Sequence, residues 1–232
     1  MRVLGIIPAR GGSKTVPKKN IKELGGKPLL QYTVEAANDS KLISRLILSS
    51  DSDEIISVAE QLKLEVPFKR PIELAQDDST TISVVLHALS FFEAQNIFFD
   101  AVCLLQVTSP FKTGEFIDAA IKKFINQGCD SLISVQRIPD KYNPHWTFKK
   151  DNFGNLKLST NDEQIIPRRQ DLPNAYHRDG LIYITKAEVI LKQNSLYGKI
   201  IGFIESPLKE SINIDTLNDW EKAESFLKSK NP

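Results

Sequence analysis

The sequence predicts an α/β protein built on a mostly parallel sheet between helices. Two observations carry that expectation. Short apolar runs alternate with amphipathic stretches of roughly ten to fifteen residues, the order that strand–helix–strand crossovers produce. A loop rich in glycine, lysine and proline follows the first apolar run directly, and sheets of this kind bind ligands at the carboxyl ends of their strands.

The elements follow in order. Residues 2–7 read as a buried strand and residues 8–20 as the loop. Pro28 opens a helix to about Asn38, with Leu29, Tyr32, Val34 and Ala37 on one side. Residues 45–49 are a second strand, and Asp51 caps a helix through Leu62 in which Ile55, Val58, Ala59 and Leu62 recur at helical spacing. Residues 66–69 are short and extended. Residues 80–94 form an amphipathic helix carrying Ile82, Val85, Leu86 and Leu89; residues 101–107 are the most apolar strand, 115–126 another helix and 130–136 the next strand. From 139 to 179 the pattern breaks into polar, proline-containing sequence with Trp146 and a basic knot at Arg168 and Arg169. A stretch this irregular is expected to be a lid, a binding insertion or a dimerisation arm. Residues 181–184 and 200–204 read as strands and 216–228 as a closing helix. The alternation places loops 8–20, 49–53 and 106–110 together on one functional edge.

The 232 residues suit one domain over 1–232, with residues 139–170 as an inserted arm. Thirty basic residues against twenty-nine acidic ones leave a formal charge of +1, which gives no global case for nucleic acid or a membrane surface as partner. Apolar runs such as 101–105 are too short to span a bilayer, and the first residues lack the apolar core of a secretory signal. Cys103 and Cys129 fit no metal-ligand spacing and read as reduced, buried residues of a cytoplasmic enzyme. His87 reads as a core or surface residue; His145 and His177 sit nearer the irregular stretch, and no Ser-His-Asp order is present.

The loop after the first strand concentrates the chemistry. Gly11 and Gly12 are expected to let the backbone turn sharply and bring N–H groups near a ligand. Arg10, Lys14, Lys18 and Lys19 place four cations within ten residues, a charge that a triphosphate matches. The P-loop and dinucleotide fingerprints are both missing.

Pro8-Ala-Arg-Gly-Gly-Ser-Lys14, with Pro17, Lys19 and Asn20, resembles the nucleotide-binding signature of the acylneuraminate cytidylyltransferases, the CMP-sialic acid or CMP-nonulosonate synthetases. Later segments agree in order and spacing: Ser50-Asp-Ser-Asp-Glu-Ile55, Arg70-Pro-Ile-Glu-Leu-Ala75, Leu105-Gln-Val-Thr-Ser-Pro110, Arg168-Arg-Gln-Asp-Leu-Pro173, Gly180-Leu-Ile-Tyr-Ile184 and Ile214-Asp-Thr-Leu-Asn-Asp-Trp220. The resemblance runs from about residue 2 to residue 225. It implies a Rossmann-like nucleotidyltransferase fold and a homodimer joined through the arm, with Trp146 against the neighbour. It also implies transfer of CMP from CTP to the anomeric hydroxyl of an acidic nine-carbon sugar, with Mg²⁺ as cofactor, in the service of cell-surface polysaccharide.

By the same resemblance Arg10, Gly11 and Asn20 contact the nucleotide, Ser13, Lys14 and Lys19 face its phosphates, and Arg70, Ser79 and Thr81 are nucleotide or substrate contacts. As sequence alone, Ser79 or Thr81 serves equally well as a helix N-cap. Gln106 is implied near the reacting sugar. Lys19 and Arg169 carry over as the catalytic cations, Arg169 matching the arginine that pairs with the acidic sugar. Tyr183 is implied in the sugar pocket, and as sequence alone reads equally well as a core residue. The family's Asp-Ile-Asp metal pattern stands here as Asn213-Ile-Asp215, leaving Asp215 as the expected ligand and Asn213 as a weakened one. Thr15, Val16, Val107 and Asp179 also depart from the pattern, and Asp179 adds a carboxylate expected to discriminate among sugars. Two alternatives stay open: an eight-carbon acceptor (KDO), against which residues 168–173 argue, and a non-catalytic nucleotide-sugar-binding relative, suggested by Asn213.

Overall fold

A computed structural model of the chain describes residues 1–207 and 212–230. Its centre is a six-stranded sheet. Strands β1 (Val3–Pro8) and β4 (Arg45–Ser49) pair in parallel, with the two-residue strands β2 (Glu23–Leu24) and β3 (Lys27–Pro28) forming a small hairpin between them in sequence. The sheet continues through β5 (Ala101–Leu104), β6 (Ser131–Arg137), β9 (Tyr176–Lys186) and β10 (Ile201–Glu205), in the spatial order β10-β6-β9-β5-β1-β4. Every pairing is parallel except those of β9, which runs antiparallel to β5 and β6. The mostly parallel sheet expected from the sequence is present.

Side chains alternate across the sheet as the strand period requires. Val3 and Ile7 of β1 and Ala101 and Cys103 of β5 join one cluster; Leu4, Ile6, Val102 and Leu104 join the other. Helices α1 (Leu29–Asp39), α2 (Asp53–Gln61), α4 (Gly114–Gln127) and α6 (Leu217–Lys230) cover the first face, through Leu30, Val34, Ile55, Ile117, Phe124 and Trp220 among others. Helices α3 (Thr81–Glu93) and α5 (Ala187–Gln193) cover the second through Val85, Leu89, Phe92 and Ile190. Phe92 and Phe124 are fully buried, each contributing about 1.5–3 kcal/mol over the exposed state. The caps are local. Thr113 Oγ1 accepts the Phe116 N–H at 3.2 Å to start α4, and Gly128, at φ 61°, ends it in the left-handed region.

The structure departs from the sequence expectations in four places. Asp51 does not cap α2; the helix begins at Asp53 after Ser52, and the Asp51 carboxylate turns toward the glycine loop. Strand β9 begins at Tyr176, five residues before the expected strand, and takes in the end of the irregular stretch. Helix α5 follows β9 with no loop between them. The arm holds its own hairpin, β7 (Phe148–Lys150) against β8 (Leu156–Leu158). No helix among the described residues is long and apolar enough to cross a membrane.

Candidate active site

Strands β1, β4 and β5 end at one edge of the sheet, so the loops at 8–20, 49–53 and 106–110 meet there as expected. The segment 212–215 joins them, because the Ile214 N–H donates to the Thr108 carbonyl at 2.7 Å and the Ile214 side chain is fully buried. Ile214 thereby seats Asn213 and Asp215 on the rim of a cavity of about 370 Å³.

Eight of the residues expected at the site line this cavity: Arg10, Asn20, Arg70, Ser79, Thr81, Gln106, Asn213 and Asp215. Gly11, Ser13 and Lys14 line an adjoining hollow with Arg10. Lys19 reaches the same rim from the loop. Its Nζ donates to the Ile214 carbonyl at 2.8 Å and lies 3.5 Å from Asp215 Oδ1.

The loop is held open by side chains rather than by glycine torsions. Neither Gly11 nor Gly12 lies in the left-handed region; the left-handed residue is Lys18, at φ 52°. Gly11 is required for closeness, since a Cβ there would sit 3.0 Å from the Ser52 Cβ. Its N–H donates to Asp51 Oδ1 at 3.0 Å, and the buried Asn20 amide donates to the Arg10 carbonyl at 3.0 Å. Val16, one of the departures from the family pattern, is fully buried beneath the loop.

The cations are partnered. Arg10 donates to the Gln76 carbonyl at 2.8 Å and pairs with Asp77 at 3.0 Å. Lys14 pairs with the same Asp77, and these two cations hold its carboxyl below the usual range. Arg70 is buried, donating through Nε to Ser49 Oγ at 3.0 Å and through its terminal nitrogen to the Ser49 carbonyl. Burial draws its pKa down to about 10, with the Asp51 charge opposing the fall and Arg10 adding to it. Helix α3 is capped by Thr80, whose Oγ1 accepts the Ser83 N–H at 3.4 Å. Neither Ser79 nor Thr81 is therefore consumed as the cap, and Ser79 Oγ donates to the Glu73 carbonyl at 2.9 Å.

Asn213 and Asp215 are coupled. The Asn213 amide donates to Asp215 Oδ2, and its Oδ1 accepts from Ser109 Oγ at 3.4 Å. One carboxylate and one amide give hard oxygen donors on one wall. That set suits Mg²⁺, which is held by one or two carboxylates while substrate phosphates and water complete its shell. Among the described residues no group of three or more His, Cys, Asp or Glu forms a self-sufficient metal centre.

Three expected residues lie apart from the cavity lining. Arg169 pairs with Asp140 in the arm, beside Arg137. Asp179 is buried, its carboxylate accepting from Ser134 Oγ, Ser206 Oγ and the Leu181 N–H. Tyr183 packs in the second core cluster, its ring 6.4 Å from that of Tyr197. In the arm, the Trp146 indole donates to the Ile166 carbonyl at 2.7 Å and His145 pairs with Asp162 at 2.7 Å. Phe148, Phe153 and Leu156 are exposed around the arm's hairpin.

Sequence reasoning missed three residues. Asp51 anchors the loop and Asp77 gathers its cations. Lys112 is buried directly behind the Gln106 strand end, its Nζ donating to the carbonyls of Gln106, at 2.9 Å, and of Ser109. Burial pulls Lys112 down to about 7, with the Asp179 charge opposing the fall. Cys103, also buried, is pushed up to about 12 and stays a thiol; Cys129 is likewise free and buried.

Residues 4–229 match the family model described as "Cytidylyltransferase". The chain is 37% identical to the CMP-N,N'-diacetyllegionaminic acid synthase of Legionella pneumophila, over 98% of this chain and 97% of that one. It is 33% identical to the pseudaminic acid cytidylyltransferase of Campylobacter jejuni, with the same coverage. It is also 33% identical to N-acylneuraminate cytidylyltransferase A of Danio rerio, over 96% of this chain and 50% of the relative. Among solved structures, CMP:2-keto-3-deoxy-manno-octonic acid synthetase complexed with CTP superposes with a TM-score of 0.73 at 14% identity, over 99% of this chain and 100% of that one, a likeness of fold.

Proposed function

The chain belongs to the cytidylyltransferase family, among the CMP-nonulosonate synthetases, and from that premise we propose that it transfers CMP from CTP to the anomeric hydroxyl of a sialic-acid-like nine-carbon 2-keto acid, releasing pyrophosphate. The observation that carries the reading at this site is the meeting of Lys19 with the Ile214–Asp215 segment, which closes the phosphate loop against a carboxylate suited to a divalent ion.

The roles follow from the geometry. Arg10 and Lys14, which here share Asp77, would exchange part of that carboxylate for the phosphates, whose larger charge competes better for two cations. Lys19 stands at the same rim to offset charge that builds on the departing pyrophosphate. Gln106, at the end of the β5 run, faces the acceptor side. Asp215, with the Asn213 amide oxygen, would hold Mg²⁺, which supplies further charge neutralisation on the phosphates. In-line placement of the anomeric oxygen and the α-phosphorus is the remaining requirement.

Arg169 does not line the cavity of its own chain. We read the arm as the contact surface of a homodimer, with its exposed apolar residues buried there and Arg169 delivered to the sugar carboxylate of a neighbouring site. We place the reaction in the cytoplasm, where CTP is available, and its product as an activated donor for cell-surface polysaccharide. The test of the acceptor class is to incubate the protein with CTP, Mg²⁺ and legionaminic, pseudaminic or N-acetylneuraminic acid, or with the eight-carbon acid KDO, and to identify the CMP adduct by mass. Formation of a CMP-nonulosonate supports the reading; adduct formation with the eight-carbon acid alone would replace it with the KDO reading.

A further inference from the structure

Lysine is rarely buried without partners, because removing an ammonium from water is costly. Lys112 is 4% exposed, and its Nζ stands within hydrogen-bond distance of three oxygens: the Gln106 carbonyl at 2.9 Å, the Ser109 carbonyl, and Thr33 Oγ1 of α1 at 3.3 Å. Two of those acceptors bracket one short turn. The same turn makes two further contacts across the site. Its Thr108 carbonyl accepts the Ile214 N–H at 2.7 Å, and its Ser109 Oγ donates to Asn213 Oδ1 at 3.4 Å. Behind it stands Gly180 at φ 83°, where a Cβ would lie 3.4 Å from Gln106 Oε1 and 3.5 Å from Ser109 Oγ. The turn is thus held from below by the Lys112 Nζ and from the side by the segment that carries Asp215.

We propose that Lys112 is the positioning residue of this turn, fixing together the Gln106 side chain and the Asn213–Asp215 segment so that acceptor and metal-binding walls keep one spacing. The proposal rests on the reading that Gln106 and Asp215 serve the reaction. It assigns Lys112 no contact with either substrate. A methionine of similar length would fill the space without the desolvation cost, but it would take the lysine's bond from the buried Ser109 carbonyl and leave the Gln106 carbonyl only the 3.4 Å bond from the Ser109 N–H, with the turn free to shift.

The experiment uses the full chain and three variants, Lys112→Met, Thr33→Val and Gln106→Ala. CTP-binding sites are counted by calorimetry, and pyrophosphate release is expressed per CTP-binding site while the nonulosonate is varied. Lys112→Met should bind CTP with an affinity near that of wild type, because Arg10 and Lys14 do not lean on the turn. Its turnover per site should fall by about tenfold or more and its KM for the acid should rise. Thr33→Val removes one acceptor on α1, away from the cavity, and should move both quantities the same way by roughly two- to fivefold. A lysine that serves stability alone would reduce the number of CTP-binding sites and leave turnover per site and the acid's KM unchanged, which would overturn the proposal. If Lys112→Met yields no CTP-binding protein, unchanged kinetics in Thr33→Val overturn it instead. Gln106→Ala separates the two layers: wild-type turnover there defeats the reading of the turn as part of the site, whatever Lys112 does.

Discussion

Lys19 Nζ and Asp215 Oδ1 lie 3.5 Å apart although 196 residues separate them in the chain. The contact joins the loop after the first strand to the segment before the last helix, and it makes one rim from the two ends of the sequence. A cation and a carboxylate so placed can divide the work of a phosphoryl-transfer site between leaving-group charge and metal ligation.

Asp215→Asn should therefore leave no protein carboxylate on the Asn213–Asp215 wall and nearly abolish Mg²⁺-dependent turnover. Asn213→Asp should lower the Mg²⁺ concentration at half-maximal rate, because a second carboxylate strengthens attraction for a hard divalent cation. It also removes the amide that donates to Asp215 Oδ2, so the gain should show in Mg²⁺ affinity before it shows in maximal rate. A Mg²⁺ titration of CTP consumption by wild type and both variants reads both effects. Wild-type activity of Asp215→Asn at low millimolar Mg²⁺ would show that the carboxylate is not a ligand.

Arg10→Ala should raise the KM for CTP and lower turnover. A hydrogen bond to a charged group is worth about 1.5–3 kcal/mol, which corresponds to roughly a tenfold to hundredfold loss of kcat/KM. The substitution also removes one of the two cations that share Asp77, so CTP binding should become less sensitive to salt. Unchanged CTP kinetics in the folded variant would remove this loop from the nucleotide site.

The phosphate loop was legible because its signal is local: cations and glycines placed straight after an apolar strand. Gln106, Asn213 and Asp215 were legible only through the family resemblance, by matching its motifs, and the structure brings all three to the lining of one cavity. Lys112 was not legible. A lysine two residues after Pro110 reads as surface, and its burial is a property of α1 and the β5 edge closing over it. Asp51 looked like a helix cap because its neighbours suit one; only the approach of the glycine loop redirects its carboxylate. Strand β9 was read too short because residues 176–180 carry polar and charged side chains beside a register shift opposite Ile133 and Val135. Helix α5 has seven residues, too few for periodicity to declare it.

The arm makes a prediction about assembly. Phe148 and Leu156 lie at the two ends of the β7–β8 ladder and are 48% and 68% exposed. Apolar side chains so placed are expected to be covered by a second copy. Sedimentation at micromolar concentration should give a dimer for the intact protein, and a monomer with low activity for the double variant Phe148→Asp with Leu156→Asp. A monomer for the intact protein would contradict the homodimer and leave Arg169 without a route to the sugar.

The most direct measurement is pyrophosphate release from CTP across a panel of 2-keto acids, with UTP, ATP and GTP as nucleotide controls. The account predicts release with CTP and at least one nine-carbon acid, and little with the eight-carbon acid or with the other nucleotides. CTP binding without release on every acid would contradict it and identify the chain as a nucleotide-sugar-binding relative.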